Sequence, residues 1–412
     1  MAKKFLYFQP EYVSRFKCDG EKCHAHCCKD WTIVIDSATY KKYSRIKPKD
    51  KAKEITSRMK FDSDKNSYIV MLDEKNFCPM LTEDGLCSLQ LEYGEDFLSQ
   101  VCTTYPRITK EFGPFFERTL TMTCPVAAEM ILFAQEPMRF EFVEVSQKIH
   151  SHNGKIIIEE FTTAIPELFT KLQLVMISIL QKRTLTINQR LIVLSFFIDR
   201  MEKIYSSGFN EIEDLQKLIA EYESEEFWAE QVPLMLQSVT FDAREFIKFV
   251  MTIFEAFYGV GEIQLNQDDR KFIDMVVNAL QIKPDADDYI SITEITDNYT
   301  RLADKREDFF AEYSTFLENY LVNEIFMHCY PRRFQNKTIS NNFLVYLISY
   351  KVFEMFSFAA WQNNLADKEN LLQLVVWYTT QLDHNKHLNE RIFEYLEDND
   401  DLFELMDTLL EQ

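Results

Sequence analysis

The chain has 412 residues, 46% of them apolar and 27% charged, so it is long enough for two or three domains with a large core. A net charge of −21 argues against general nucleic-acid binding, which needs a basic footprint. Only 8 glycines occur, about 2% against a usual ~7%, which disfavours turn-dense folds and glycine-rich phosphate loops and favours helices. The charge is uneven: residues 1–60 hold 15 Lys and Arg against 7 Asp and Glu, leaving about −29 for the remainder. That remainder reads as a solvated acidic surface, or as a face that attracts a lysine-bearing partner.

In chain order, the start is basic, but its apolar run Phe5–Phe8 is too short for a signal peptide. Trp31–Ile35 and Ser67–Leu72 are short β-branched or aromatic runs that read as strands. Gly94–Val101 and Val126–Phe133 read as short helices. They flank a hairpin of Arg107–Phe112 and Phe115–Leu120 around the turn signal Gly113-Pro114. From about Ile156 the pattern turns helical. Thr186 with Gln189 is a capping box, and Asp242 opens another helix. Apolar periodicity continues through Phe309–Phe326, Phe343–Trp361, Leu371–Leu382 and Ile392–Leu410. Asn266–Arg270 and Lys283–Asp288 read as surface loops. The expected architecture is mainly α: a small mixed α/β, cysteine-rich, metal-binding domain at 1–145, then a large all-helical region at 146–412. No run of about 18 uninterrupted apolar residues suggests a membrane span, and Phe343–Trp361, interrupted by Lys351 and Glu354, reads as a buried helix.

Eight of nine cysteines fall before residue 125: Cys18, Cys23, Cys27, Cys28, Cys78, Cys87, Cys102 and Cys124. In a chain without an export signal such thiols stay reduced, and a cluster of soft ligands points to zinc or an iron–sulfur centre in a cytoplasmic protein. Adjacent Cys27 and Cys28 should not both chelate one ion without strain. One four-thiolate site with reserves and two separate sites are both open. His24 and His26 read as loop histidines, and His150, His152, His384 and His387 as surface histidines lacking cysteine partners. The sole Gly-x-Gly, Gly259-Val260-Gly261, follows a helical run instead of a strand, so it reads as a helix C-cap and not as a cofactor loop.

The N-terminal third resembles the flagellin lysine-N-methylase family, which shares its cysteine cluster with a wider group of zinc- or iron-chelating proteins. The resemblance is carried by Cys18-x4-Cys23-x3-Cys27-Cys28 with Trp31, Cys78-Pro79-x-Leu81-x5-Cys87, Cys102-x2-Tyr105-Pro106-Arg107, and Thr123-Cys124-Pro125-x-Ala127-Ala128. Asp30 and Val126 stand where the family often has Gly and Glu. The helical remainder, including His328-Cys329-Tyr330-Pro331, fits the family's layout only loosely.

The resemblance implies methyl transfer from S-adenosylmethionine to lysine ε-amino groups of flagellin, in the cytoplasm and before export. It also implies an iron–sulfur cluster of the four-iron type on the eight cysteines, with zinc as the alternative. Neither nucleic acid nor membrane is an expected partner. Within the matched motif, Tyr105 is a candidate proton acceptor, and Arg107 a candidate to hold a carboxylate of cofactor or substrate. The competing expectation is a non-catalytic zinc- or iron-binding module joined to a helical interaction domain.

Overall fold

The structure is a computed structural model. It describes residues 4–19, 26–29, 32–112, 115–146, 166–207, 211–258, 267–282, 291–331, 337–384, 392–393, 396 and 402–410. Two compact units are present: Met1–Met130 with Arg139–Ile157, and Ile131–Met138 with Ile158–Gln412. The fold is mainly α, and among the described residues the strands lie in the first unit.

In the first unit, β1 (Phe5–Pro10) is followed by α1 (Glu11–Arg15), β2 (Val34–Ile35), α2 (Ser37–Tyr43), α3 (Lys49–Ser57), β3 (Met59–Asp62) and β4 (Ser67–Val70). Then come α4 (Ser88–Tyr93), α5 (Gln100–Thr104), β5 (Arg107–Phe112), β6 (Phe115–Leu120), α6 (Pro125–Leu132) and β7 (Phe140–Val145). A four-stranded sheet runs β5-β6-β1-β7, and a three-stranded sheet runs β2-β4-β3. The expected hairpin forms with Arg107 opposite Leu120 and Phe112 opposite Phe115. Strand β1 lies parallel to β6 and antiparallel to β7, with Phe5 opposite Val145. Neither β1 nor β7 is evident in the sequence. As an inner strand β1 buries residues on both faces, so it reads as a continuous apolar run with no alternation.

Other expectations shift. The strand read at Trp31–Ile35 shortens to Val34–Ile35, and Trp31 lies outside the described residues. The helix read at Gly94–Val101 becomes a 3-10 turn, Glu95–Phe97, then α5. Gly94, at φ +83°, closes α4, and Ser99 restarts the chain by accepting from the Cys102 amide at 3.4 Å. Strand β3 is stabilised at its turn by Asp62, whose Oδ1 accepts from the amides of Asp64 and Lys65.

The second unit holds α7 (Pro166–Leu180), α8 (Ile187–Ser207), α9 (Glu211–Tyr222), α10 (Glu225–Glu230), α11 (Val232–Gln237) and α12 (Ala243–Tyr258). It continues with α13 (Gln267–Ala279), α14 (Ile292–Arg301), α15 (Ala303–Met327), α16 (Ile339–Gln362), α17 (Lys368–His384) and α18 (Leu402–Leu409). The capping box is formed in both directions: the Gln189 amide donates to Thr186 Oγ1 at 3.2 Å, and the Thr186 amide donates to Gln189 Oε1 at 3.0 Å. Asp242 caps α12 through the amides of Arg244 and Glu245. Gln267–Arg270, read as loop, opens α13, since polar composition alone does not separate a loop from the first turn of a helix. Helix α16 has the length and hydropathy to cross a membrane, but its most apolar 18-residue stretch is buried in the fold. Asn266, Lys283–Asp288, Gly259–Gly261, His150, His152 and His387 lie outside the described residues.

Candidate metal centre

Local backbone chemistry brings three cysteine-bearing segments of the first unit together. A 3-10 turn, His26–Cys28, carries Cys27 and Cys28. Lys29 then bridges to Phe77, and the Cys78 amide donates to the Cys28 carbonyl at 2.6 Å. Phe77 is presented by a tight turn in which Asp73 Oδ1 accepts from the amides of Lys75 and Phe77, with Asn76 at φ +62°. A second small loop, closed by a Leu81–Cys87 bridge around Gly85 at φ +75°, sets Cys87 at the start of α4. There the Ser88 amide and hydroxyl both donate to the Met80 carbonyl. Cys102 arrives on α5.

Cys28, Cys78, Cys87 and Cys102 pack into one apolar cluster with Ile33, Ile35, Tyr43, Ile46 and Val101. Cys27 joins them through its sulfur, 3.7 Å from that of Cys28. Two sulfurs bound roughly 2.3 Å from one tetrahedral metal would be about 3.8 Å apart, a separation close to that of the adjacent pair. The 3-10 turn sets the two sulfurs at this separation.

The electrostatics record the same crowding. Hydrogen bonding with Cys27 and with Cys78, together with burial, raises the Cys28 pKa. The hydrogen bond from Cys28 brings Cys27 down to about 7, and lowers Cys78 as well. Burial is the main cause that raises Cys87 and that pushes Cys102 up to about 12, and charge on Cys78 and Cys27 adds to both. Tyr43, buried beneath them, donates to the Phe97 carbonyl at 2.7 Å. Its phenol is raised by burial, then by Cys102 and Cys87. Arg58, held on the Pro79 carbonyl, supplies a positive charge that favours the Cys78 thiolate. No spacing rule marks Tyr43 or Arg58 as neighbours of these thiols. Among the described residues, no three His, Cys, Asp or Glu side chains stand close enough together to hold a metal ion as they are. Cys23, His24 and Trp31 lie outside the described residues, as does the His26 side chain.

The remaining motif residues collect elsewhere in the unit. Cys18 is exposed and Cys124 buried, and both act electrostatically on Arg107 at the start of β5. The Arg107 guanidinium lies 5.0 Å over the Phe16 ring, and Nη2 donates to the Phe16 carbonyl at 3.5 Å. Burial lowers its pKa, while Cys18, Cys124 and Glu95 pull it back up. Tyr105 is half-buried, its hydroxyl 3.1 Å from Thr123 Oγ1, which is itself 3.0 Å from Thr121 Oγ1. Arg107 thus lies near Cys18 and Cys124, and Tyr105 beside Thr123, the residue before Cys124.

Comparison with known sequences fixes the relationship. The model of the family described as "FliB lysine N-methylase C-terminal domain" matches residues 173–410. The chain belongs to that family. The match lies in the helical part, which in the sequence had fitted the family only loosely, and not in the cysteine-rich third. A lysine-N-methylase of Salmonella typhimurium (strain LT2) is 32% identical over 133 residues, which are 32% of this chain and 33% of that protein. A flagellar biosynthetic protein FliU of Salmonella muenchen is 31% identical over 133 residues, 79% of its length. The chain thus spans about a third of the lysine-N-methylase it matches. No solved structure matches it. In this family member the ninth cysteine, Cys329, is buried in the helical unit at φ +54°. It follows His328, whose Nε2 is 3.2 Å from Glu324 Oε2.

Proposed function

We propose that this protein is a lysine N-methyltransferase that uses S-adenosylmethionine to methylate flagellin in the cytoplasm, with an iron–sulfur centre held by its N-terminal cysteines. The observation that carries this reading is membership of a family named for lysine N-methylation, alongside a relative named as a flagellar biosynthetic protein. The donor chemistry supports the cofactor: thiols, with no competing carboxylate or imidazole among the described residues of the cluster, suit a soft metal, and since no three of them stand within reach of one ion as they are, binding would draw them together. Cys27, Cys28, Cys78, Cys87 and Cys102 would hold it, with Cys23, Cys18 and Cys124 as the further thiols of the motif. An iron with an open position would supply a chelation point for an amino-carboxylate.

In the proposed transfer, the neutral lysine nitrogen attacks the sulfonium methyl carbon. The N–C bond forms, the C–S bond breaks, and S-adenosylhomocysteine departs. The proton that the amine must lose passes to Tyr105 Oη and on to solvent, while Arg107 pairs with a carboxylate. The acidic helical region would attract the basic, lysine-bearing face of the substrate.

Coexpression with flagellin tests the proposal. Lysine-localised additions of about 14 mass units, one methyl group each, are expected and should vanish with Cys78→Ser. Flagellin that stays unmodified beside the intact, metal-loaded protein would sink it.

A further inference from the structure

The part of the first unit built from α2, α3, β3 and β4 carries charge opposite in sign to that of the whole chain. Residues 37–65 hold ten Lys and Arg against four Asp and Glu, in a protein of net charge −21. Some of these cations are neutralised locally. Lys51 and Arg58 pair with Glu54, Lys51 also with Glu92, and Lys65 with Asp62. Lys41, Arg45, Lys47, Lys49, Lys53 and Lys60 are exposed, and none of the six makes an ion pair with a described residue. Helix dipoles do not account for the set. Lys41 lies in the last turn of α2, where a cation is favoured, but Lys49 opens α3, where it is not.

An apolar ledge crosses this surface. The Tyr40 ring stacks on Tyr68 at 3.5 Å, and Tyr68 meets Phe61 edge-on at 5.3 Å. Three rings therefore run from α2, next to Lys41, to β3, next to Lys60. Phe61 at their end is 54% exposed. On α3, Lys49 and Lys53 stand four residues apart and so share a helix face.

The extent of the patch selects the class of partner. Cations gathered without counterions repel one another, and an anionic partner relieves that repulsion. Carboxylates close the patch on one side: Glu92 sits 3.5 Å from Lys51, and Glu95 and Asp96 follow it, all exposed. A nucleic acid or a membrane presents phosphate continuously, beyond a Debye length of about 8–10 Å, and would meet those carboxylates as well as the acidic remainder of the chain. A short acidic stretch of polypeptide can end where the patch ends. An apolar side chain within it would cover Phe61.

We propose that this surface docks an acidic segment of a partner protein, its carboxylates on Lys41, Arg45, Lys49, Lys53 and Lys60 and an apolar side chain on Phe61. The proposal stands without the methyl-transfer reading.

Fluorescence anisotropy with the full chain tests it, using a labelled short peptide of repeated Glu-Glu-Leu triplets as probe and one of Glu-Glu-Ser triplets as comparison. The leucine peptide should bind more tightly, and its affinity should fall at least about tenfold between 50 and 300 mM salt. Lys41→Glu with Arg45→Glu, both exposed positions, should weaken both peptides at least about tenfold at an unchanged Tm. Phe61→Ser should weaken the leucine peptide about tenfold and leave the serine peptide alone, which separates a docking surface from screened attraction. Single-stranded oligouridylate and phosphatidylserine vesicles should bind more weakly than the leucine peptide. Equal affinity for the two peptides, undiminished binding to Lys41→Glu with Arg45→Glu, or tighter binding of oligouridylate or vesicles would overturn the proposal. So would salt-reversible self-association of the full chain that the same double substitution abolishes, since the occupant would then be a second copy.

Discussion

Glu318 should be among the most costly single positions in the helical unit. It lies on α15 with its side chain 1% exposed, accepting from Arg190 Nη1 at 2.8 Å, and from Arg183 Nη2 at 2.9 Å and Nε at 3.0 Å. Arg190 is itself 3% exposed, and it also donates to the carbonyls of Leu180 and Leu185. The two arginines respond differently because their surroundings differ. Burial lowers the Arg190 pKa against the pull of Glu318, whereas the hydrogen bond to Glu318 raises that of the more open Arg183. Glu318→Gln keeps the shape and removes the charge, leaving the Arg190 cation buried without its counterion; the expected loss is about 3–5 kcal/mol. Arg183→Gln removes a partner that solvent already screens, while Arg190 still neutralises Glu318, so about 1 kcal/mol is expected. Replacing the buried pair together, Arg190→Met with Glu318→Leu, should recover most of the Glu318→Gln loss. Urea unfolding followed by tryptophan fluorescence suits the measurement, because Trp228, Trp361 and Trp377 all lie in this unit. A Glu318→Gln loss below about 1 kcal/mol, or one no larger than that of Arg183→Gln, would refute the reasoning.

Three further outcomes are expected. Iron or zinc content of the purified protein should fall sharply in Cys28→Ser and Cys78→Ser, whose sulfurs lie beside one another in the cysteine-bearing cluster; full metal content in both would remove them from the ligand set. Asp36 caps α2 by accepting from the Thr39 amide at 2.9 Å, and Asp36→Ala should cost about 1 kcal/mol at pH 7. Burial tends to raise the Asp36 pKa, but the hydrogen bonds from Thr39 and Ala38 together hold it below 3.8. Its contribution is therefore complete above that value and is lost as pH falls through the lower folded-state value, so the gap between variant and parent should close only in strong acid. Methylation of flagellin should slow as salt rises from 50 to 300 mM, if the acidic helical face recruits the substrate; a flat salt profile would count against that recruitment.

What the sequence disclosed depended on how local the cause was. The β5–β6 hairpin and the caps at Thr186 and Asp242 are set within a few residues, and all were legible. Strand β1 was not, because its partner β7 lies some 130 residues on and both of its faces are covered, which erases the period-2 signal. The cysteines show the same division. Their number and N-terminal clustering pointed to one thiol-rich region. The packing of Cys28, Cys78, Cys87 and Cys102 against one apolar cluster depends on the Lys29–Phe77 and Leu81–Cys87 bridges, which no spacing announces. The family resemblance was read on the residues with the most conspicuous chemistry, while the family match itself falls on the helices.

That packing decides which variant can identify catalysis. Cys28, Cys78, Cys87 and Cys102 sit inside the apolar cluster of Ile33, Tyr43, Ile46 and Val101, so any of them lost removes packing as well as a metal ligand. A Cys→Ser enzyme without activity therefore does not separate a catalytic centre from a structural one. Tyr105→Phe does. The hydroxyl lies 3.1 Å from Thr123 Oγ1, and the half-buried ring keeps its packing after the change. Stability should fall by no more than about 1 kcal/mol, and metal content should hold. If Tyr105 accepts the lysine proton, kcat should drop about 10²–10⁴-fold with little change in KM, and the pH dependence of kcat should lose its Tyr105 limb. A Tyr105→Phe enzyme with full metal content and full kcat would remove Tyr105 from the chemistry and move the search for the base to the helical unit.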